Sequence, residues 1–355
     1  MERRDLLRAG GAFAVASMAG CSSLAETQAG GVPSVLEDRP DGVYRPTHVE
    51  GMETVDTATS GEYAVGLLYS YPHRFWNVNG DDVSLTEIDR DDAVHLMASV
   101  WDRESKTVLP ETGLSAELYR DGSLVSQETI YPMLSQPMGF HYGANFGLDG
   151  DGTYDVRLSV GAMQIRRTGA FEGRFGDPAT VDIPFEYSEN AKAEIDFRQL
   201  EDAGTPGAVD PMSMGSLPTA VAPAESALPG TVLGSGTSND ARLVVTVLDD
   251  PPSGIDESGT YLAVSARSRY NRMVIPAMGL SATLDRDGET IADTVLERTL
   301  NPELGYHYGT VVESVASGDD LTLSVTVQPQ TARHEGYETA FGGLLGGMPD
   351  LTLGL

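Results

Sequence analysis

The sequence predicts an all-β protein of two tandem antiparallel β-sandwiches. Three observations predict it: an internal repeat, short strand-like runs separated by turn signals, and no helical period over ten or more residues. The repeat is anchored by Gly139-Phe140-His141-Tyr142-Gly143-Ala144-Asn145, whose twin is Gly305-Tyr306-His307-Tyr308-Gly309. Gly113-Leu114-Ser115-Ala116 begins 28 residues before His141 and Gly279-Leu280-Ser281-Ala282 begins 28 residues before His307, so an offset of 166 holds between them without a gap. Arg120-Asp121-Gly122 meets Arg286-Asp287-Gly288 at the same offset. Farther on, Arg166-Arg167-Thr168-Gly169 is expected to meet Arg333-His334-Glu335-Gly336 after one inserted residue.

Taken in order, residues 1–21 read as an export signal. Arg3-Arg4-Asp5-Leu6-Leu7 is a twin-arginine start, and a small apolar run leads to Met18-Ala19-Gly20-Cys21, a lipobox-like end. Cys21 is the single cysteine, so lipidation there is expected and an intramolecular disulfide is excluded. Residues 22–42, rich in Gly, Ser, Pro and acids, read as a flexible tether. Residues 43–200 hold the first sandwich, with strands expected at Tyr63–Tyr69, Ala93–Val100, Leu114–Tyr119 and Thr153–Val160. Residues 201–230 carry five prolines among Gly, Ala and Ser and read as a linker, with Met212 and Met214 solvated. Residues 231–355 hold the second sandwich, with strands expected at Leu243–Leu248, Tyr261–Ala266, Leu280–Leu284 and Leu321–Val327.

Acidic residues outnumber basic ones 53 to 23, for a net charge of -30, and Lys106 and Lys192 are the only lysines. Without a Lys/Arg stripe to neutralise phosphates, nucleic acid is not an expected partner. The balance resembles that of proteins from salt-loving archaea, where high ionic strength screens self-repulsion.

The repeat sorts the six histidines. His95 aligns with Tyr261, Met133 and Met138 with Thr299 and Leu304, His141 with His307, and Arg167 with His334. The first copy thus offers His95, a methionine and His141; the second offers His307 and His334. One full set of metal-type side chains arises only when the halves are pooled. Imidazole with thioether suits copper in either oxidation state, and imidazoles alone also suit zinc or ferrous iron.

The strings His95-Leu96-Met97-Ala98-Ser99-Val100, Pro132-Met133, His141-Tyr142-Gly143-Ala144-Asn145 and Gly152-Thr153-Tyr154, with the Arg333-His334 segment, resemble the periplasmic high-affinity iron-transport protein family. The resemblance covers most of residues 60–175 and, more faintly, 235–341. It implies immunoglobulin-like, copper-binding lipoprotein modules that dimerise and share a metal site across the interface. Carried over by position, the ligands are His95, Met133, His141 and His334, with Met138 a rival thioether. The tandem chain then becomes a covalent pseudo-dimer and a monomer. The mirror set, Tyr261, Thr299, His307 and Arg167, is expected to be dead. Met97 stands where the family has a glutamate, a departure that bears on iron.

Accessory roles are expected for His73, in the Tyr71-Pro72-His73-Arg74-Phe75-Trp76 cluster, and for His48 and Glu50 near the tether. The expected function is binding of copper, with iron or zinc as alternatives, in support of iron uptake. The protein would sit outside the cytoplasmic membrane, anchored by lipid on Cys21, with an iron permease as partner and no enzymatic activity. Two other readings stay open: a structural or adhesive surface protein whose histidines are structural, and a copper store unrelated to iron.

Overall fold

The computed structural model describes residues 32–355, so the expected signal, Cys21 and the start of the tether lie outside the described residues. The first copy contains β1 (His48–Glu50), β2 (Glu53–Ser60), β3 (Tyr63–Ser70), β4 (Phe75–Asn79), β5 (Asp82–Thr86), β6 (Val94–Asp102), β7 (Leu114–Arg120), β8 (Ser123–Ser135), β9 (Gly139–Phe146), β10 (Gly152–Val160), β11 (Arg166–Arg167), β12 (Ala179–Tyr187) and β13 (Phe197–Gln199). The second contains β14 (Thr231–Ser238), β15 (Ala241–Leu248), β16 (Thr260–Ser268), β17 (Gly279–Arg286), β18 (Glu289–Asn301), β19 (Gly305–Val312), β20 (Asp320–Val327), β21 (Ala332–Arg333) and β22 (Leu351–Gly354). A short helix, α1 (Glu189–Ala193), begins at Ser188, whose hydroxyl accepts from the Ala191 N–H.

Strand order runs β12-β10-β7-β8-β9-β6-β3-β2 in the first copy and β22-β20-β17-β18-β19-β16-β15-β14 in the second, the same path twice. Asp121 and Gly122 both take positive φ, 50° and 76°, as do Asp287 and Gly288 at 53° and 82°. That pair of left-handed residues is what a two-residue hairpin needs to match strand twist. The hairpins lead into β8 and β18, each 13 residues long. The first half of β8 pairs with β7 and its second half with β9, so this one strand turns the corner between the two layers of its sandwich. Alternation then sets the faces: Val94, Leu96, Ala98 and Val100 enter the apolar core, as do Phe140, Tyr142, Ala144 and Phe146. His95 and His141 therefore fall together on the opposite face.

Each copy lends two residues to the other. β21 pairs in parallel with β8, Ala332 against Met133 and Arg333 against Leu134; β11 pairs in parallel with β18, Arg166 against Thr299 and Arg167 against Leu300. The exchange fixes the repeat frame beyond the strands. The His334 N–H donates to the Leu134 carbonyl and the Thr168 N–H to the Leu300 carbonyl, both at 3.0 Å. His334 is thus the counterpart of Thr168, and no inserted residue is needed; the expected match of His334 with Arg167 was one residue out. Arg333 is the counterpart of Arg167, both guanidiniums donating to main-chain carbonyls.

Two expectations about connecting segments are corrected. The stretch 201–230 is docked: the Val209 N–H donates to Gln136 Oε1 at 2.8 Å and the Val274 N–H to the Ala220 carbonyl at 2.8 Å. Met214 and Leu217 are buried, and Leu217 lies so close over Gly66 that a Cβ there would come within 2.4 Å of it. Five prolines keep this stretch out of a ladder, yet its apolar residues cover the outer face of β3, which is buried on both sides. The end of the tether is held too, for Arg39 pairs with Glu338 at 3.3 Å and the Gly42 N–H donates to the Thr339 carbonyl.

Next to the exchanged strand, Arg74 and Glu335 form a buried ion pair, with side-chain exposures of 2% and 6%. The second oxygen of Glu335 accepts from the Thr47 N–H at 2.8 Å. Removing one partner leaves an uncompensated buried charge, which typically costs about 3–5 kcal/mol. The Arg74→Met variant is expected to lose stability of that order in urea unfolding at neutral pH. A loss within experimental scatter would show that the pair does not hold the two copies together.

Candidate metal centre

The site lies on the outer face of the β8–β9–β6 sheet. Register places His95 opposite Asn145 and Met133 opposite His141. His334 arrives from the second copy directly after β21. One ligand-type nitrogen from each of His95, His141 and His334 lies within 4.8 Å of the others. Ring centroids are 5.4 Å apart for His95 and His334 and 5.3 Å for His141 and His334.

The ring orientations are fixed from behind. His95 Nδ1 lies 2.8 Å from Asn145 Oδ1, and His141 Nδ1 lies 3.0 Å from the Gly139 carbonyl. In all three histidines Nε2 is buried and has no hydrogen-bond partner among the described residues. Buried polar nitrogens are ordinarily paired, so three orphans pointing into one space are an arrangement for a ligand.

Met133 belongs with this group. A Cβ added at Gly143 would lie 2.7 Å from His95 Nε2 and 3.0 Å from Met133 Sδ, so both donor atoms flank the same bare stretch of β9. Met138 and Met97 lie in the large apolar core cluster, whereas Met133 packs with Phe75 and Ala332. His73 adjoins the group, with its ring 4.6 Å from that of His95 and 5.0 Å from that of His334. Its main chain is held by Asn145, which accepts from the His73 N–H at 3.1 Å and donates to its carbonyl at 2.8 Å. Asn145 therefore orients His95 and His73 together, a role sequence reasoning missed although Asn145 lies in the His141-Tyr142-Gly143-Ala144-Asn145 string. Glu50 lies 2.8 Å from His73 Nδ1 and 3.3 Å from His48 Nε2.

The mirror position shows what the same framework does with other side chains. His307 Nδ1 lies 3.0 Å from the Gly305 carbonyl, as in His141, but its Nε2 is 2.9 Å from the Tyr261 hydroxyl. A Cβ at Gly309 would meet that hydroxyl at 2.0 Å, so Tyr261 fills the space that stays clear beside Gly143. The register puts Thr168, not Arg167, in the place of His334, and Arg166 in the place of Ala332. Thr168 is tied up with Asn301 at 3.0 Å.

Burial sets the protonation states. It pushes His141 down to about 4, partly offset by the Gly139 carbonyl, with His73 lowering it further. Burial also holds His95 and His334 well below the ordinary 6.5, and neighbouring imidazoles add to the effect. His307 falls to about 4 through burial, with the Arg166 cation contributing. The three orphan imidazoles are thus neutral at neutral pH, the form that ligates metals.

A sequence family described as a domain of unknown function (DUF7350) matches residues 75–183 and 226–352. The chain belongs to that family. The DUF7350 segments contain His95, Met133, His141 and His334, whereas His48, Glu50 and His73 precede the first of them. No curated protein matches the chain. Among solved structures it is similar to FetP of uropathogenic Escherichia coli strain F11, as isolated, at 20% identity and a TM-score of 0.28, covering 40% of this chain and 96% of that one. A copper-bound variant of the same FetP is similar at 20% identity and a TM-score of 0.28, covering 38% of this chain and 97% of that one.

The lowered histidines make stability depend on pH. Below about 6.5 the unfolded chain takes protons that the folded chain refuses until about 4. Stability from these groups is full above the unfolded value and falls as pH drops through that window, by up to about 1.4 kcal/mol per pH unit for each such histidine. Urea midpoints of the metal-free protein should fall from pH 7 to pH 4.5, and more shallowly in His141→Gln. An equal slope in that variant would show that His141 is not held neutral by its burial.

Proposed function

We propose that His95, Met133, His141 and His334 bind a transition metal, copper first, in a protein that captures the ion outside the cytoplasm and supports iron uptake. The observation that carries the reading is the convergence of three neutral, buried, unpaired Nε2 atoms beside a thioether. Neutral imidazoles with a thioether form a soft donor set, matched to Cu(I) and able to hold Cu(II), whereas zinc or ferrous iron would use the imidazoles alone. Gly139 and Asn145 act behind the donors by fixing ring orientation. The protein's part is binding and release, without an enzymatic step. The twin-arginine start and Cys21 support an extracytoplasmic, lipid-anchored placement in which the acidic surface faces the medium. An iron permease would receive the delivered ion, a role that rests on the sequence resemblance alone.

Calorimetric titration of the full-length chain with Cu(I) under anaerobic conditions tests the reading. Wild type should take a single tight equivalent, and His334→Ala should lose most of that affinity although its change lies in the other copy. Equal binding by both proteins would refute a site shared between the copies. Gly143→Ala offers an independent check, because the added methyl would occupy the space between His95 Nε2 and Met133 Sδ. It should abolish copper uptake while leaving the far-ultraviolet spectrum of the β-sandwiches unchanged. Retained uptake in Gly143→Ala would favour histidines that serve only the structure.

A further inference from the structure

The two copies differ in one connection. In the second copy residues 249–259 join β15 to β16 and form no strand. The equivalent connection in the first copy, residues 71–93 between β3 and β6, carries the extra hairpin of β4 and β5. Strand β4 pairs antiparallel with β21, Trp76 against Arg333, so the hairpin lies on the segment that delivers His334. Its tip is fastened to the second copy as well. The Gly80 N–H donates to Gln330 Oε1 at 2.7 Å, and the Gly80 carbonyl accepts from Gln330 Nε2 at 3.0 Å and from Gln328 Nε2 at 3.2 Å. Trp76 is buried beneath Arg39, whose guanidinium stands 5.8 Å from the ring centroid. The hairpin is thus a strap across the two copies, and it lies on the side of the orphan imidazoles.

Phe75 is the residue that the strap presents to the donors. It is buried and packs with Met133 and Ala332 in a small cluster separate from the large core. Its ring centroid lies 6.1 Å from that of His95 and 5.5 Å from that of the exposed Tyr131. The thioether and one imidazole of the site therefore share a hydrocarbon wall. Glu50 meets His48 and His73, and among the described residues the Nε2 atoms of His95, His141 and His334 have no carboxylate as partner.

A set of neutral donors leaves the ion its whole charge, one for Cu(I) and two for Cu(II). Burial against hydrocarbon costs more for the double charge. Cu(II) also favours tetragonal nitrogen and oxygen ligation, which a thioether wall closed to water does not offer. Control of solvent access by an apolar shell thereby sets the potential of a metal.

We propose that Phe75 determines the oxidation state that the site favours: from the strap it excludes water on the thioether side and tilts the site toward Cu(I). The inference rests on the copper reading and adds to it a residue that ligates nothing. Ala332 completes the same wall from the second copy.

An anaerobic redox titration of the copper-loaded full-length chain, followed by the electron paramagnetic resonance of Cu(II), tests the role of Phe75. Phe75→Ser, which opens the wall to water, should lower the ratio of Cu(I) to Cu(II) affinity by about tenfold or more, a fall in potential of about 59 mV for one electron. Ala332→Ser should move the potential in the same direction and keeps the test valid where the first variant folds poorly. Phe75→Leu, which keeps the wall apolar, should stay close to wild type. Because the potential reports a ratio, a variant that only loosens the strap weakens both ions alike and leaves the potential in place. An unmoved potential in both serine variants, or equal falls in Phe75→Ser and Phe75→Leu, would overturn the role of Phe75 while the copper site stands. A wild-type chain that takes up no copper in the preceding calorimetric titration would overturn the proposed function and this inference with it.

Discussion

Two residues of parallel pairing, Ala332 and Arg333 against Met133 and Leu134, are the contact on which the site depends. Neither copy holds the donors by itself. Alternation along β6 and β9 puts His95 and His141 on one outer face, and the exchanged strand lays His334 across that face. The buried Arg74–Glu335 pair then joins the residue after His73 to the residue after His334. Such a pair gives little net stability against an apolar alternative, but it is costly to break and so fixes register. Burial also shields it from screening that would weaken exposed pairs at high ionic strength.

The two copies give a comparison within one molecule. Backbone geometry behind His141 and His307 is the same, down to the 3.0 Å contact from Nδ1 to a glycine carbonyl two residues back. The difference is confined to what faces Nε2. In the second copy a tyrosine hydroxyl satisfies it, and Arg166 brings a resident positive charge close enough to lower His307. Beside His95 and His141 the residue at that register position is Ala332, lent by the second copy, which carries no charge. The mirror position is therefore filled by the Tyr261 hydroxyl, and Arg166 beside it is paired with Glu297.

The strands, the hairpins at Asp121-Gly122 and Asp287-Gly288, and the repeat were legible in the sequence because they rest on period-two alternation and turn chemistry, which are local. The convergence of His95, His141 and His334 was legible only through the repeat and the resemblance, since His334 lies 193 residues beyond His141 and in the other copy. The one-residue error at His334 came from matching Arg166 with Arg333 and Gly169 with Gly336, which requires an inserted residue that the strand pairing does not have. What corrects it is the pairing of β11 and β21, each only two residues long and too short to leave a periodic signal. The docking of Met214 and Leu217 was hidden for a related reason. Five prolines exclude a ladder but say nothing about whether a segment packs. Met133 and Met138 could not be separated by spacing, because the choice is made by which face of the corner each side chain occupies.

The chain is asymmetric in a way that two identical subunits could not be. Identical copies would carry identical sites, whereas fused copies diverge independently while the 201–230 connection keeps their effective concentration high. The divergence has an energetic direction. Tyr261 turns His307 Nε2 into a satisfied buried group, which favours the folded state. The shared site instead keeps three buried imidazole nitrogens without protein partners among the described residues, two from the first copy and His334 from the second, each at a cost of about 1–3 kcal/mol. The mirror position is thus satisfied from within, and the shared site keeps its donor nitrogens unpaired. That division lets a single chain keep a metal-binding geometry on a framework whose second copy contributes His334 and the packing that holds it in place.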